Sequence, residues 1–275
     1  MGLLDKSFIF LPLGTKLPTK EGSMPTKKPA ATAAKPDKTA AVKELLQSGA
    51  HFGHRTERWH PKMAQYIHGA RGGVHIIDLV QTEDLLEEAE KFVRQLTAQG
   101  KSVLFVATKR QAKAIVTEAA KSAGMPYVTH RWLGGMMTNW ETISKRIRHL
   151  KKLEAAREDG SLERMTKKER LLIDNEIEKL TKVFLGVKEL EGTPGAIFVV
   201  DVMREETAIK EAKTLKIPVI AMADTNANPE SVDYIIPAND DAIRSIQLVA
   251  GRIARAAAEG KAEYDAKTTQ DTEDK

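Results

Sequence analysis

Three observations predict a doubly wound α/β fold, a parallel sheet with helices on both faces, interrupted by an inserted antiparallel coiled-coil helical hairpin. Runs that are apolar on both faces alternate with amphipathic helices, as a sheet covered on both sides requires. One long segment breaks the alternation with apolar spacing that averages about 3.5 residues, the mark of a coiled-coil seam. The chain of 275 residues, 41% hydrophobic and 29% charged, carries enough apolar material for one large domain or two ordinary ones.

Taken in order, residues 1–41 hold five of the eleven prolines, spaced by Lys, Thr, Ala and Gly, and read as a disordered Pro/Lys/Ala-rich extension. Val42, Leu45 and Leu46 form a short helical face that stops at Gly49. From His51 to Met63 periodicity is weak, and imidazole, aromatic and cationic groups crowd together. Val74–Leu79 reads as a buried strand, and the helix starting at Thr82 shows an apolar stripe of Leu85, Leu86, Ala89, Phe92, Val93 and Leu96. Ser102–Ala107, Pro126–Thr129, Ala196–Val202, Pro218–Ala223 and Tyr234–Ile236 read as further strands. Helices are expected through Ala112–Ala119, over Thr207–Leu215, and from Asp241 to about Glu259.

The interruption begins with Trp140, Ile143, Ile147 and Leu150; after Asp159-Gly160-Ser161 it resumes with Ile173, Ile177, Leu180, Phe184 and Val187. Two seams around a Gly-centred break predict a hairpin arm over residues 139–190. It divides a flavodoxin-like α/β domain into residues 42–138 and 191–260, and residues 261–275 read as a polar, frayed tail.

The formal net charge of +5 conceals strong regional polarity. Residues 1–41 carry +4, residues 51–75 +3, residues 101–131 +5 and residues 143–170 +5, which leaves −12 for the rest. Such a chain suits a polyanionic partner on one surface. No apolar run approaches the roughly 20 residues of a membrane span, so no membrane partner is expected. The absence of cysteine excludes a disulfide scaffold, a thiolate metal site and a cysteine nucleophile, and it fits a reducing compartment, the cytoplasm. No dinucleotide fingerprint, phosphate loop, zinc-protease helix or nucleophile elbow occurs, so the chain is not expected to be an enzyme.

Thr108-Lys109-Arg110 ends a strand and opens a helix, where two cations oppose the helix dipole. A phosphate held by Lys109, Arg110 and free backbone N–H groups would compensate; solvated side chains are the competing reading. Arg55, Arg58, Lys62, Arg71 and Arg131 are further candidates for RNA phosphates, beside Trp59 and Trp132, whose rings are expected to be buried anchors. Lys145, Arg146, Arg148, Lys151 and Lys152 crowd one helix, which makes it a phosphate-facing surface or a solvated coiled-coil flank. Asp224, Asp240 and Asp241 follow strands and, with His54, could hold a structural divalent cation; capping of turns and the last helix is the competing role. No required cofactor is expected.

The motifs Gly49-Ala50-His51-Phe52-Gly53-His54, Trp59-His60-Pro61-Lys62-Met63, Thr108-Lys109-Arg110-Gln111, Arg131-Trp132-Leu133-Gly134-Gly135, Asp224-Thr225-Asn226 and Ile236-Pro237-Ala238-Asn239-Asp240-Asp241 occur in this order. Together they resemble the bacterial-type small-subunit ribosomal protein S2 family, the universal uS2 family, from about Val42 to Ala258. The resemblance implies a non-catalytic constituent of the small ribosomal subunit that binds its rRNA and neighbouring proteins and supports translation. It further implies help in recruiting the large small-subunit protein that captures messenger RNA. Two other classes stay open on residues alone. One is a small-molecule or metal-dependent enzyme using Asp224, Asp240 and His54; the other is a coiled-coil adaptor that touches only proteins.

Overall fold

The computed structural model describes residues 38–273; of the extension expected over residues 1–41, residues 1–37 lie outside the described residues and residues 38–41 are helical. Helix α1 (Lys38–Ser48) starts four residues before Val42 and ends at Gly49, whose φ of 79° needs no Cβ. Strands β1 (Phe52–Arg55), β2 (Ile67–Arg71) and β3 (Val74–Ile77) then form a small antiparallel sheet in the order β1-β3-β2. The run at Val74 is therefore a strand outside the parallel sheet. Gly72 and Gly73, both at positive φ, turn β2 into β3 as a two-residue hairpin.

Helix α2 (Leu79–Thr97) is capped by Asp78, whose carboxylate accepts the Val80 N–H at 2.9 Å. Strand β4 (Val103–Val106), helix α3 (Lys113–Ser122) and strand β5 (Tyr127–Val128) follow, then helices α4 (Trp140–Glu158) and α5 (Lys167–Phe184). The chain returns through β6 (Ala196–Val200), α6 (Glu206–Thr214), β7 (Val219–Ala223) and β8 (Tyr234–Pro237) to α7 (Ile243–Glu273).

Strands β4 to β8 make one wholly parallel sheet in the order β5-β4-β6-β7-β8. Winding reverses between β4 and β6, which is the switch point where doubly wound folds usually bind ligands. Strand residues alternate between two cores. Phe105, Phe198 and Met222 pack against α2, α3 and α7; Leu104, Ile197 and Ala221 pack with α6 and the inner faces of α4 and α5. Burying an aromatic or branched side chain contributes about 1.5–3 kcal/mol, so strands such as Ala196–Val200, buried at every position, anchor the domain.

Helix α7 continues to Glu273 instead of fraying from residue 261. Lys261 donates to the Gly124 carbonyl, Glu263 pairs with Arg94, and Tyr264 packs over Gly100. Those contacts supply the tertiary support that a polar helix end otherwise lacks. No described helix is long and apolar enough to cross a membrane.

Candidate nucleic-acid interface

On α4, Ile143, Ile147 and Leu150 are buried on one stripe. At about 100° per residue, Lys145, Arg148 and Lys152 fall opposite that stripe, with Arg146 and Lys151 on its flanks. All five cations are exposed. Lys145 pairs with Glu141 at 2.7 Å and Lys151 with Glu189 at 3.1 Å, exposed pairs worth little. Among the described residues Arg146, Arg148 and Lys152 have no carboxylate within ion-pair distance, so the face is left positive. Helix α5 packs beside α4, starts from a capping box between Thr166 and Glu169, and faces His149 with Glu176 at 3.1 Å.

A second group of cations surrounds the small sheet. The register places Arg55 and Arg71 on either side of Val74, and the Arg58 N–H bonds the Arg55 carbonyl at 2.8 Å in the following turn. All three guanidinium groups are exposed and lack carboxylate partners among the described residues, whereas Lys62 pairs with Glu230. Trp59 is 40% exposed and tilts over buried His75 at 5.1 Å between ring centroids, contrary to its expected role as a core anchor. Trp132 is half-buried, and its indole N–H bonds Glu211. Arg131 and Arg110 are exposed.

The expected phosphate site at Lys109 is corrected. Helix α3 starts at Lys113, not at Thr108, and the Thr108 N–H is spent on the Glu205 carboxylate at 2.7 Å. Lys109 is buried, with Nζ 2.7 Å from Asp240, 2.7 Å from Asp241 and 3.5 Å from Asp201. Its charge is consumed inside the protein. The switch point between β4 and β6 therefore carries ion pairs made within the protein. Asp201 and Glu205 were missed from sequence; a carboxylate directly after β6 was the available sign.

The candidate cation ligands largely converge. His54, Asp224 and Asp240 each offer an atom within 4.8 Å of the others. His54 Nδ1 lies 2.9 Å from Asp224, while exposed Asp241 stands at the rim, 3.9 Å from His54 Nε2. The hydrogen bond that His54 donates to Asp224 outweighs partial burial and raises the His54 imidazole above its usual range. Burial, with Asp201 and Asp224 nearby, pushes Asp240 up to about 7, against the pull of Lys109. Imidazole and carboxylate oxygens suit a divalent ion, but the Lys109 ammonium already neutralises part of the charge.

The sequence profile described as Ribosomal protein S2 matches residues 45–260. A protein named small ribosomal subunit protein uS2 from Roseiflexus sp. (strain RS-1) is 53% identical over 221 residues, covering 80% of this chain and 84% of that relative. Relatives of the same name from Psychrobacter cryohalolentis and Synechocystis sp. are 51% and 52% identical, covering 85% and 80% of this chain and 92% and 82% of their own lengths.

Proposed function

Because this chain belongs to the ribosomal protein S2 family, we propose that it is held in the small ribosomal subunit by rRNA phosphates gripped by its unpaired surface cations. It is a structural constituent of that subunit and supports translation; the enzymatic reading has no support from its relatives. The observation that carries the RNA contact is the outward side of α4, where Arg148 and Lys152 stand opposite a buried stripe and Arg146 flanks it, all three without carboxylate partners among the described residues.

In this reading α4 and α5 are an antiparallel coiled-coil arm over residues 139–190, and residues 42–138 and 191–260 form the platform. The seam spacing and the His149–Glu176 contact support that assignment. Arg55, Arg58, Arg71, Arg110 and Arg131 add phosphate contacts; Lys62, Lys145 and Lys151 join once RNA displaces their exposed pairs. Neighbouring small-subunit proteins, among them the large protein that captures messenger RNA, complete the partners, in the cytoplasm. A structural divalent cation at His54, Asp224 and Asp240 is the remaining element; calorimetric titration with zinc, against Asp224→Asn, tests it.

Sedimentation of tagged protein through gradients at low and high salt tests the function. Co-migration with small subunits at low salt, weakened at high salt, is expected. Free monomer at both concentrations would contradict it, and a complex that survives RNase would point to protein contacts alone.

A further inference from the structure

A side chain of the body gathers the donors of the loop between β5 and α4. Glu211 of α6 is buried, and its carboxylate takes five donors. Oε1 accepts the Trp132 indole N–H at 3.0 Å and the Gly135 N–H at 2.8 Å. Oε2 accepts the N–H groups of Met137 and Thr138 at 3.0 and 3.1 Å and the Thr138 hydroxyl at 3.1 Å. Backbone N–H groups that converge in this way form the kind of nest that elsewhere receives a bound anion. Here the protein supplies the anion. A glutamine could not replace it, because its NH₂ would face other donors.

The placement matters because Trp140, the first residue of α4, lies two residues beyond Thr138. The other end of the helix pair is also tied down: Gly186, just past α5, sits so close to the Tyr127 carbonyl that no Cβ would fit. Glu211 forms no ion pair among the described residues, and it binds only the loop that launches α4. We infer that Glu211 is a positioning residue whose carboxylate sets the direction in which α4 and α5 leave the α/β body. That this direction turns their cations toward rRNA rests on the function proposed above.

The chain has no cysteine, so introduced pairs report only where they are placed. Spin labels at Glu158→Cys and Gln247→Cys measure helix pair against body; labels at Gln95→Cys and Gln247→Cys measure the body alone. In Glu211→Gln the first pair should lose its single narrow distance peak and the second should keep it. Trp132→Phe, which leaves the carboxylate in place and removes one donor, should broaden the first distribution less. If Glu211→Gln lowers thermal stability and leaves the helix-to-body distribution as in the parent chain, the role is purely stabilising and the inference is overturned. If Glu211→Gln does not fold, an unchanged distribution in Trp132→Phe overturns it equally. Affinity for small-subunit rRNA, measured on the same proteins, separates the two readings. A broadened distribution with unchanged affinity keeps Glu211 as the positioning residue and removes the arm from the RNA contact.

Discussion

Lys109 Nζ lies 2.7 Å from Asp240 Oδ1, and both side chains are buried at the carboxyl end of the parallel sheet. Asp201 and Asp241 share the same ammonium. This arrangement occupies the position where related architectures bind phosphate, and it turns a residue that reads as a ligand contact into a structural one.

Lys109→Met is therefore expected to destabilise the fold by about 3–5 kcal/mol, because it strands the buried Asp240 carboxylate without a counter-charge. Neighbouring Arg110 is exposed, so Arg110→Glu should leave the melting temperature unchanged while weakening association with small subunits. Thermal unfolding and co-sedimentation of the two variants check this pair. Equal stability of Lys109→Met and the parent would refute the buried ion cluster.

Arg252 of α7 binds both Glu83 and Glu90 of α2 through paired hydrogen bonds of 2.6–2.9 Å, and Glu83 is 1% exposed. Arg252→Met should cost about 3–5 kcal/mol in urea unfolding, and adding Glu83→Gln should recover part of the loss. A double variant no more stable than the single would mean that the cost comes from packing of the Arg252 stem.

Burial opposes ionisation of Glu211, but the bonds from Trp132, Met137, Thr138 and Gly135 together hold its carboxyl below the usual glutamate range. A depressed carboxylate contributes stability that is complete above its unfolded value and is lost as pH falls through the folded one. The stability gap between the parent and Glu211→Gln should accordingly be full at neutral pH and close in acid. A gap that persists unchanged in acid would show that ionisation of Glu211 is not its source.

How much could be read in advance depended on whether a residue's partners were near it in sequence. Ala196–Val200 is apolar throughout and could only be a strand covered on both faces, and the cations of α4 could be placed by helical spacing alone. Strands β1 and β2 escaped because their residues are mostly half-exposed or exposed and lack alternation; Gly72-Gly73 before Val74 was the hairpin signal. The fate of Lys109 was set by Asp201 and Asp240, and that of Glu211 by donors more than seventy residues away. Only the folded chain brings those groups together. Tyr264 likewise read as part of a polar tail, although it anchors the last helix over Gly100.

Salt dependence of binding to small-subunit rRNA, compared between the parent and an Arg146→Glu, Arg148→Glu, Lys152→Glu variant, tests the central claim most directly. The variant should bind more weakly, and the slope of log affinity against log salt should flatten by about 0.7–0.9 for each phosphate contact removed. Identical affinity and slope in the two proteins would contradict the claim that the outward face of α4 grips the RNA backbone.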